Sequence, residues 1–532
     1  MFIEILFLIL FFVSMVAVGF YYRKKAASVE GFVLGSRGAG PWLTAFAFGT
    51  SYFSAVIFVG YAGQFGWNFG ISSTWIGLGN AFIGSLLPWL ILGRRTRIMT
   101  NHLNSKTMPE YFEARYDSKG LKLLSAVIVF VFLIPYTASL YNGLSRLFSM
   151  AFPGVNYTVC IVIMSVLTCV YVLLGGYMAT AMNDFIQGIF MLGGIVAVII
   201  AVLNQNGGFS KSVEKLAVNS GWEYSSFFGP DFLFLSFVVV LTSLGTWGLP
   251  QMVGKFYAIK DEESIKTGTV ISSIFAVVVA GGCYFLGGFS RLFADVDPAS
   301  GKLPMMNGEV VSYDRLVPGM LENLGPVIIG IVLVLVLSAS MSTLSSLVLT
   351  SGSTVTLDLI APLRKKQVSE KGKMLLMRFL IVFFVAISAL IAIYQVNAQS
   401  GSSVTFIANL MGVSWGALAG AFIGPFLWGL YFKKTTRAAV YVSFAMGVCI
   451  SLLQLIKSLA GFSFGISFFD DLFFKTSIHS GAFAMVLSLI LVPLISLFTK
   501  KQSDERIEEI FSCYNRTVTV KATDVLKLED NN

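Results

Sequence analysis

Thirteen mainly apolar stretches, each near the length of about 20 residues that a helix needs to cross a bilayer, alternate with short polar segments along the 532-residue chain. They lie near 2–21, 42–63, 71–92, 121–148, 155–175, 181–204, 230–255, 266–291, 323–350, 374–396, 404–431, 437–459 and 477–498. In lipid, stretches of this kind satisfy their backbone polar groups as helices. The expected fold is an all-α polytopic membrane protein of about 13 transmembrane helices. Composition agrees: 12% of residues are charged, against about 25% in a soluble domain. No polar segment is large enough to hold a core of its own, so the chemistry is expected within the membrane.

The first stretch has no basic region before it and no small-residue cleavage site after it, and Arg23, Lys24 and Lys25 follow. It reads as a retained anchor entering with its N-terminus outside. Of the 37 Lys and Arg, 27 fall in one alternate set of loops, six in the other and four within or beside spans. That bias predicts the N-terminus outside and the C-terminus in the cytoplasm. Basic loops against anionic lipid account for the net charge of +9, so membrane lipid and not nucleic acid is the expected partner. Five cysteines without CxxC spacing read as buried small hydrophobes, with no disulfide framework. Two histidines are too few for a zinc or haem site. The tail after 500 carries an amphipathic stretch, Ile507 to Phe511, expected as a short cytoplasmic helix.

Polarity enters the membrane at three places. Gly49-Thr50-Ser51-Tyr52-Phe53-Ser54-Ala55 puts hydroxyls beside glycine midway along the second span. That pattern fits a helix that unwinds to offer carbonyls, and it equally fits hydroxyls bonded to the preceding turn. In the ninth span, Ala339, Ser342, Thr343 and Ser346 share one face. Their oxygens suit a hard cation, or a small-residue helix interface. Asp184 opens the sixth span, as a cation ligand at the depth of Ser345 and Ser346 or as a complement to the helix dipole.

Together with Gly175-Gly176, Asn183 to Gly188, Gly248-Leu249-Pro250-Gln251 and Met108 to Tyr116, these runs resemble the sodium/solute symporter family, whose members include bacterial proline, pantothenate, sialic acid and galactose transporters. The resemblance implies a LeuT-type core of two inverted five-helix repeats, 42–204 and 230–431, joined by an extracellular loop at 205–229. An extra helix and cytoplasmic loop (1–41) would precede them, with two C-terminal helices (432–499) and a cytoplasmic tail (500–532) after. Helix breaks would fall at Thr50 to Ser54 and at Thr246 to Pro250.

By the same resemblance, a sodium site would use the carbonyls of Thr50, Phe53 and Ala339 and the hydroxyls of Ser342 and Thr343. Some members hold a second sodium, here falling on Asp184, Ser342, Ser345 and Ser346. Tyr52 replaces an acidic residue of the proline branch, and 133–141 lacks the arginine of the sialic-acid branch. Tyr52, Ser54, Asn80, Tyr136, Tyr141 and Trp247 are the expected solute residues, with aromatic packing as their other reading. The implied protein is no enzyme but a sodium-coupled symporter in the plasma membrane, of the bacterial inner-membrane type. It would act as a monomer, using one or two Na+ and no organic cofactor. A pantothenate-like or other small carboxylate is favoured, with an amino acid, sialic acid or a sugar as alternatives. Proton coupling through Asp184 is the rival mechanism.

Overall fold

The computed structural model describes residues 2–152, 154–364, 368–398 and 406–515. The start of the span expected at 404 and the tail beyond 515 lie outside them. Among the described residues, ten helices are long and apolar enough to cross a membrane, or eleven if the bent pair Phe232–Gly248 and Pro250–Ala258 counts as one span. Two of the ten, Val56–His102 and Tyr157–Gln205, are 47 and 49 residues long. At a rise of about 1.5 Å per residue each would extend roughly 70 Å, twice a hydrocarbon core. Just beyond Phe69 in the first, and at Gly176 in the second, a glycine takes positive φ: Gly70 at 62° and Gly176 at 53°. A Cβ at Gly176 would also press on Phe32.

Lipid, not water, meets the outer helices, so burial runs opposite to a soluble protein. The most apolar window of the first helix, Phe2–Tyr22, is only 17% buried, against 89% for that of the helix ending at Tyr431. Ile9, Leu10 and Val13 face outward, while Ser338, Ser340, Ser342, Thr343 and Ser345 are buried at the centre of Pro326–Thr354. Close helix approach depends on glycine. A Cβ at Gly66 would strike the Gly287 backbone, and one at Gly287 would strike Ala62.

Two polar segments hold structure that their composition did not signal. Residues 205–229 contain the helix Phe209–Ser220. Between the expected eighth and ninth spans, Asp295–Val296, Pro304–Met306 and Glu309–Val310 form an antiparallel three-stranded sheet. Strands this short carry no periodicity to read. On the face that holds the basic loops, Asp504–Phe511 is helical as expected, with Ile507, Ile510 and Phe511 buried. Arg115 anchors this corner: it donates to the Gly429 and Phe432 carbonyls at 2.8 and 3.2 Å and to Gln502 at 3.1 Å, with its guanidinium over the Phe511 ring. Cys160, Cys283 and Cys513 are buried, but Cys449 is exposed. That corrects the expectation for Cys449, because the outward face of a lipid-facing helix is apolar enough for a thiol.

Candidate cation and solute site

The helix Pro41–Tyr52 stops at Phe53, whose backbone is extended (φ −93°, ψ 116°), and helical structure resumes at Ala55. The last backbone hydrogen bond of the first piece is donated by the Phe53 N–H to the Gly49 carbonyl. Among the described residues no backbone amide reaches the Thr50 or Phe53 carbonyl. Unpaired carbonyls at membrane depth need a polar partner. The Thr50 carbonyl accepts from the Ser342 hydroxyl at 3.0 Å and the Thr343 hydroxyl at 3.4 Å. The same two hydroxyls lie 3.2 and 3.0 Å from the Ala339 carbonyl. Four of the five oxygens expected at the sodium site therefore converge, all from buried residues. No side-chain contact ties the Phe53 carbonyl to them among the described residues.

Neighbouring hydroxyls join the same cluster. Thr343 also reaches the Ser51 carbonyl at 3.3 Å, and the Ser51 and Ser346 hydroxyls are 2.7 Å apart. The four residues expected at a second sodium site make different contacts. Ser342 belongs to the Thr50 cluster, and Ser345 bonds the Ser342 carbonyl of its own helix at 2.9 Å. Asp184 and Ser346 instead meet Lys255, whose ammonium is 3.6 Å from the Asp184 carboxylate and 2.9 Å from the Ser346 hydroxyl. Lys255 is 3% exposed. The sequence reading placed it among loop charges at the end of the seventh span. Its signal was available: Gln251 and Lys255, one helical turn apart, form a polar stripe on Pro250–Ala258, and an intramembrane lysine marks a functional site. A cleft lined by Lys106, Thr107, Tyr177, Gln251 and Ser353 leads to Lys255 and Ser346.

The expected solute residues divide as well. The Tyr136 hydroxyl faces Ser54 and Trp415, and its ring meets Trp415 edge-on at 5.9 Å. The Tyr52 ring stacks on Trp415, 6.0 Å away, and its hydroxyl donates to the Thr242 carbonyl at 2.7 Å. Asn80 accepts from Ser243 at 3.1 Å and faces Tyr284. Ser54 Oγ, Asn80 Nδ2, Tyr136 OH, Tyr284 OH and Trp415 Nε1 are buried and, although Tyr136 faces Ser54 and Trp415 and Tyr284 faces Asn80, none makes a hydrogen bond of regular geometry among the described residues. Orphaned donors at this density call for a ligand or water. Tyr141 turns instead to Ser165, and the Trp247 indole is spent on the Ile83 carbonyl at 2.8 Å. Trp415 and Tyr284 went unread because a lone aromatic in an apolar span looks like lipid-facing bulk.

The chain resembles known transporters over most of its length. The chain is 27% identical to the osmoregulated proline transporter of Bacillus subtilis over 496 residues, covering 92% of this chain and 94% of that protein. It is 27% identical to the sodium/proline symporter of Escherichia coli over 467 residues, 85% of this chain and 89% of the other. Its fold is that of a Na+-coupled sialic acid symporter solved substrate-bound and outward-open, with a TM-score of 0.72 at 17% identity, covering 94% of this chain and 99% of that one. The family description "Sodium:solute symporter family" matches residues 32–447. Spanning most of the sequence, that match shows that the chain belongs to the sodium:solute symporter family.

Proposed function

We propose that this protein couples sodium entry to uptake of a small carboxylate-bearing solute by alternating access. The observation that carries the reading is the Thr50 carbonyl, released by the helix break and met by the Ser342 and Thr343 hydroxyls. Sodium bound among these oxygens would fix the broken second span against the ninth. It would thereby order Ser54, two residues from Tyr52, in the solute group. Coupling of this kind is reciprocal: solute must tighten sodium by the same factor. A potential of 100 mV contributes about 2.3 kcal/mol per sodium carried inward, which is more than tenfold in solute concentration.

The topology we propose has thirteen crossings, with the N-terminus outside and the C-terminus inside. Dividing the 47- and 49-residue helices at Gly70 and Gly176 and counting the bent pair once supports that number. Moving Lys255 from the loops to the interior leaves 26 basic residues against six on the two sides. In this orientation the cleft at Ser346 opens to the cytoplasm, one helical turn from Thr343, and gives sodium an exit. Breaks at Phe53 and Leu249 lie in the first span of each five-helix group and support the two repeats at 42–204 and 230–431.

The unpartnered Trp415, Tyr136, Asn80 and Ser54 groups all offer donors without a formal charge. A carboxylate or amide carbonyl, as in pantothenate, suits them. The names of the curated relatives favour a second carboxylate, proline; Tyr52, in place of an acidic side chain, stands against it. The test is the melting temperature of the purified protein in sodium and in potassium with pantothenate, proline, other amino acids, short monocarboxylates, sialic acid and sugars, since a ligand of the native state raises it. A solute that stabilises only in sodium is the expected result. A response to pH alone, with sodium and every solute silent, would replace sodium by a proton on Asp184.

A further inference from the structure

We infer that the Lys255 ammonium is a built-in cation that stands where a second sodium would otherwise bind, so that this chain carries one sodium per cycle. The inference rests on the sodium reading above and goes beyond it by setting the stoichiometry. Its basis is a buried chain of contacts. The ammonium lies 3.6 Å from Asp184, 2.9 Å from the Ser346 hydroxyl and 5.5 Å from the centre of the Tyr177 ring. Ser346 in turn lies 2.7 Å from the Ser51 hydroxyl.

One carboxylate and a hydroxyl, with a ring face alongside, form the kind of anionic, oxygen-lined position that attracts a small cation. Here the cation is covalently tethered. A sodium added beside it would face a like charge at contact distance in a low-dielectric interior. Mechanically the lysine does what a bound ion would do: through Ser346 and Ser51 it ties Pro250–Ala258 to Pro326–Thr354 and to Pro41–Tyr52, next to the break. Unlike an ion it cannot leave, so the site braces the helices without adding to the charge transported.

Sodium counting tests this. The slope of native-state stability against log sodium concentration, at constant ionic strength, reports the ions bound. The wild-type protein should bind one sodium. Lys255→Met should expose Asp184 and Ser346 to a second, doubling the slope, and adding Asp184→Asn should return it to one. A wild-type count of two, or a folded Lys255→Met protein that stays at one, would overturn the inference. If Lys255→Met does not fold, direct binding of radioactive sodium to the wild-type chain gives the same count of one or two. A count of zero would sink the sodium reading itself. The lysine's role is then judged in potassium, where Asp184→Asn should lower the melting temperature and Lys255→Met in the same chain should recover it; no recovery would reject the pairing.

Discussion

Thr50 contributes its carbonyl to the proposed sodium cluster, while its own hydroxyl is bonded back to the Phe46 carbonyl at 2.8 Å. The side chain is therefore dispensable where its backbone is not. Thr50→Val should leave the sodium-induced rise in melting temperature intact, at a stability cost of about 1 kcal/mol. Ser342→Ala and Thr343→Ala each remove an oxygen of the proposed site. Both should weaken sodium binding roughly tenfold to a hundredfold, on a charge-assisted bond worth about 1.5–3 kcal/mol, with the fold retained. Sodium titrations of melting temperature separate the two classes. These hydroxyls were legible because their i, i+3, i+4, i+7 spacing survives in a helix. Lys255 was harder to read, because one positive charge near a span's end looks the same whether it faces lipid headgroups or a buried carboxylate, and only Gln251 one turn before it marks its face.

At the scale of elements, two helix breaks and one close crossing position these residues. Pro250 announces the second break, since proline removes an amide and the preceding residue prefers extended backbone, as Leu249 shows (ψ 122°). The break at Phe53–Ser54 contains neither proline nor glycine. Hydroxyls from another helix satisfy the Thr50 and Ser51 carbonyls beside it, a condition no local sequence encodes. The crossing of Ala62–Phe69 with Gly282–Gly287 brings backbones together at Gly66 and Gly287. A side chain on Gly66 would meet backbone that has no freedom to yield. Gly66→Ala should cost about 1–3 kcal/mol, seen as a lower melting temperature in sodium and potassium alike, with the sodium-dependent increment unchanged.

As a whole, this multi-pass plasma-membrane protein is closed on its basic face by a helix that lies outside the membrane spans. Asp504–Phe511 docks through Phe511 on Arg115 and Lys433, and His102 contacts the Glu509 carbonyl at 3.0 Å. Phe511→Ala should destabilise by about 3 kcal/mol through lost packing and lost cation–π contact. Arg115→Lys should also destabilise, because an ammonium cannot bond Gly429, Phe432 and Gln502 at once while stacking on two rings. Chemical or thermal unfolding of the two variants checks both. Since none of these contacts involves Thr50, Ser342 or Thr343, the sodium increment in melting temperature should survive in each.

The run lengths of apolar residues fix a mostly helical membrane protein before any contact is known, because an apolar run of about 20 residues satisfies its backbone in lipid as a helix. Loop charge and the hydroxyl stripe of the ninth span are equally local, and both were readable from the chain. Which carbonyls the second span would free, which tyrosine hydroxyls would lose their partners, and whether Asp184 would face a sodium or a lysine depended on helices distant in sequence meeting at one depth. Ser342 and Thr50 are 292 residues apart, and Lys255 stands 71 residues from Asp184. Pairing over such separations is decided by packing in three dimensions, and residue type alone does not record it.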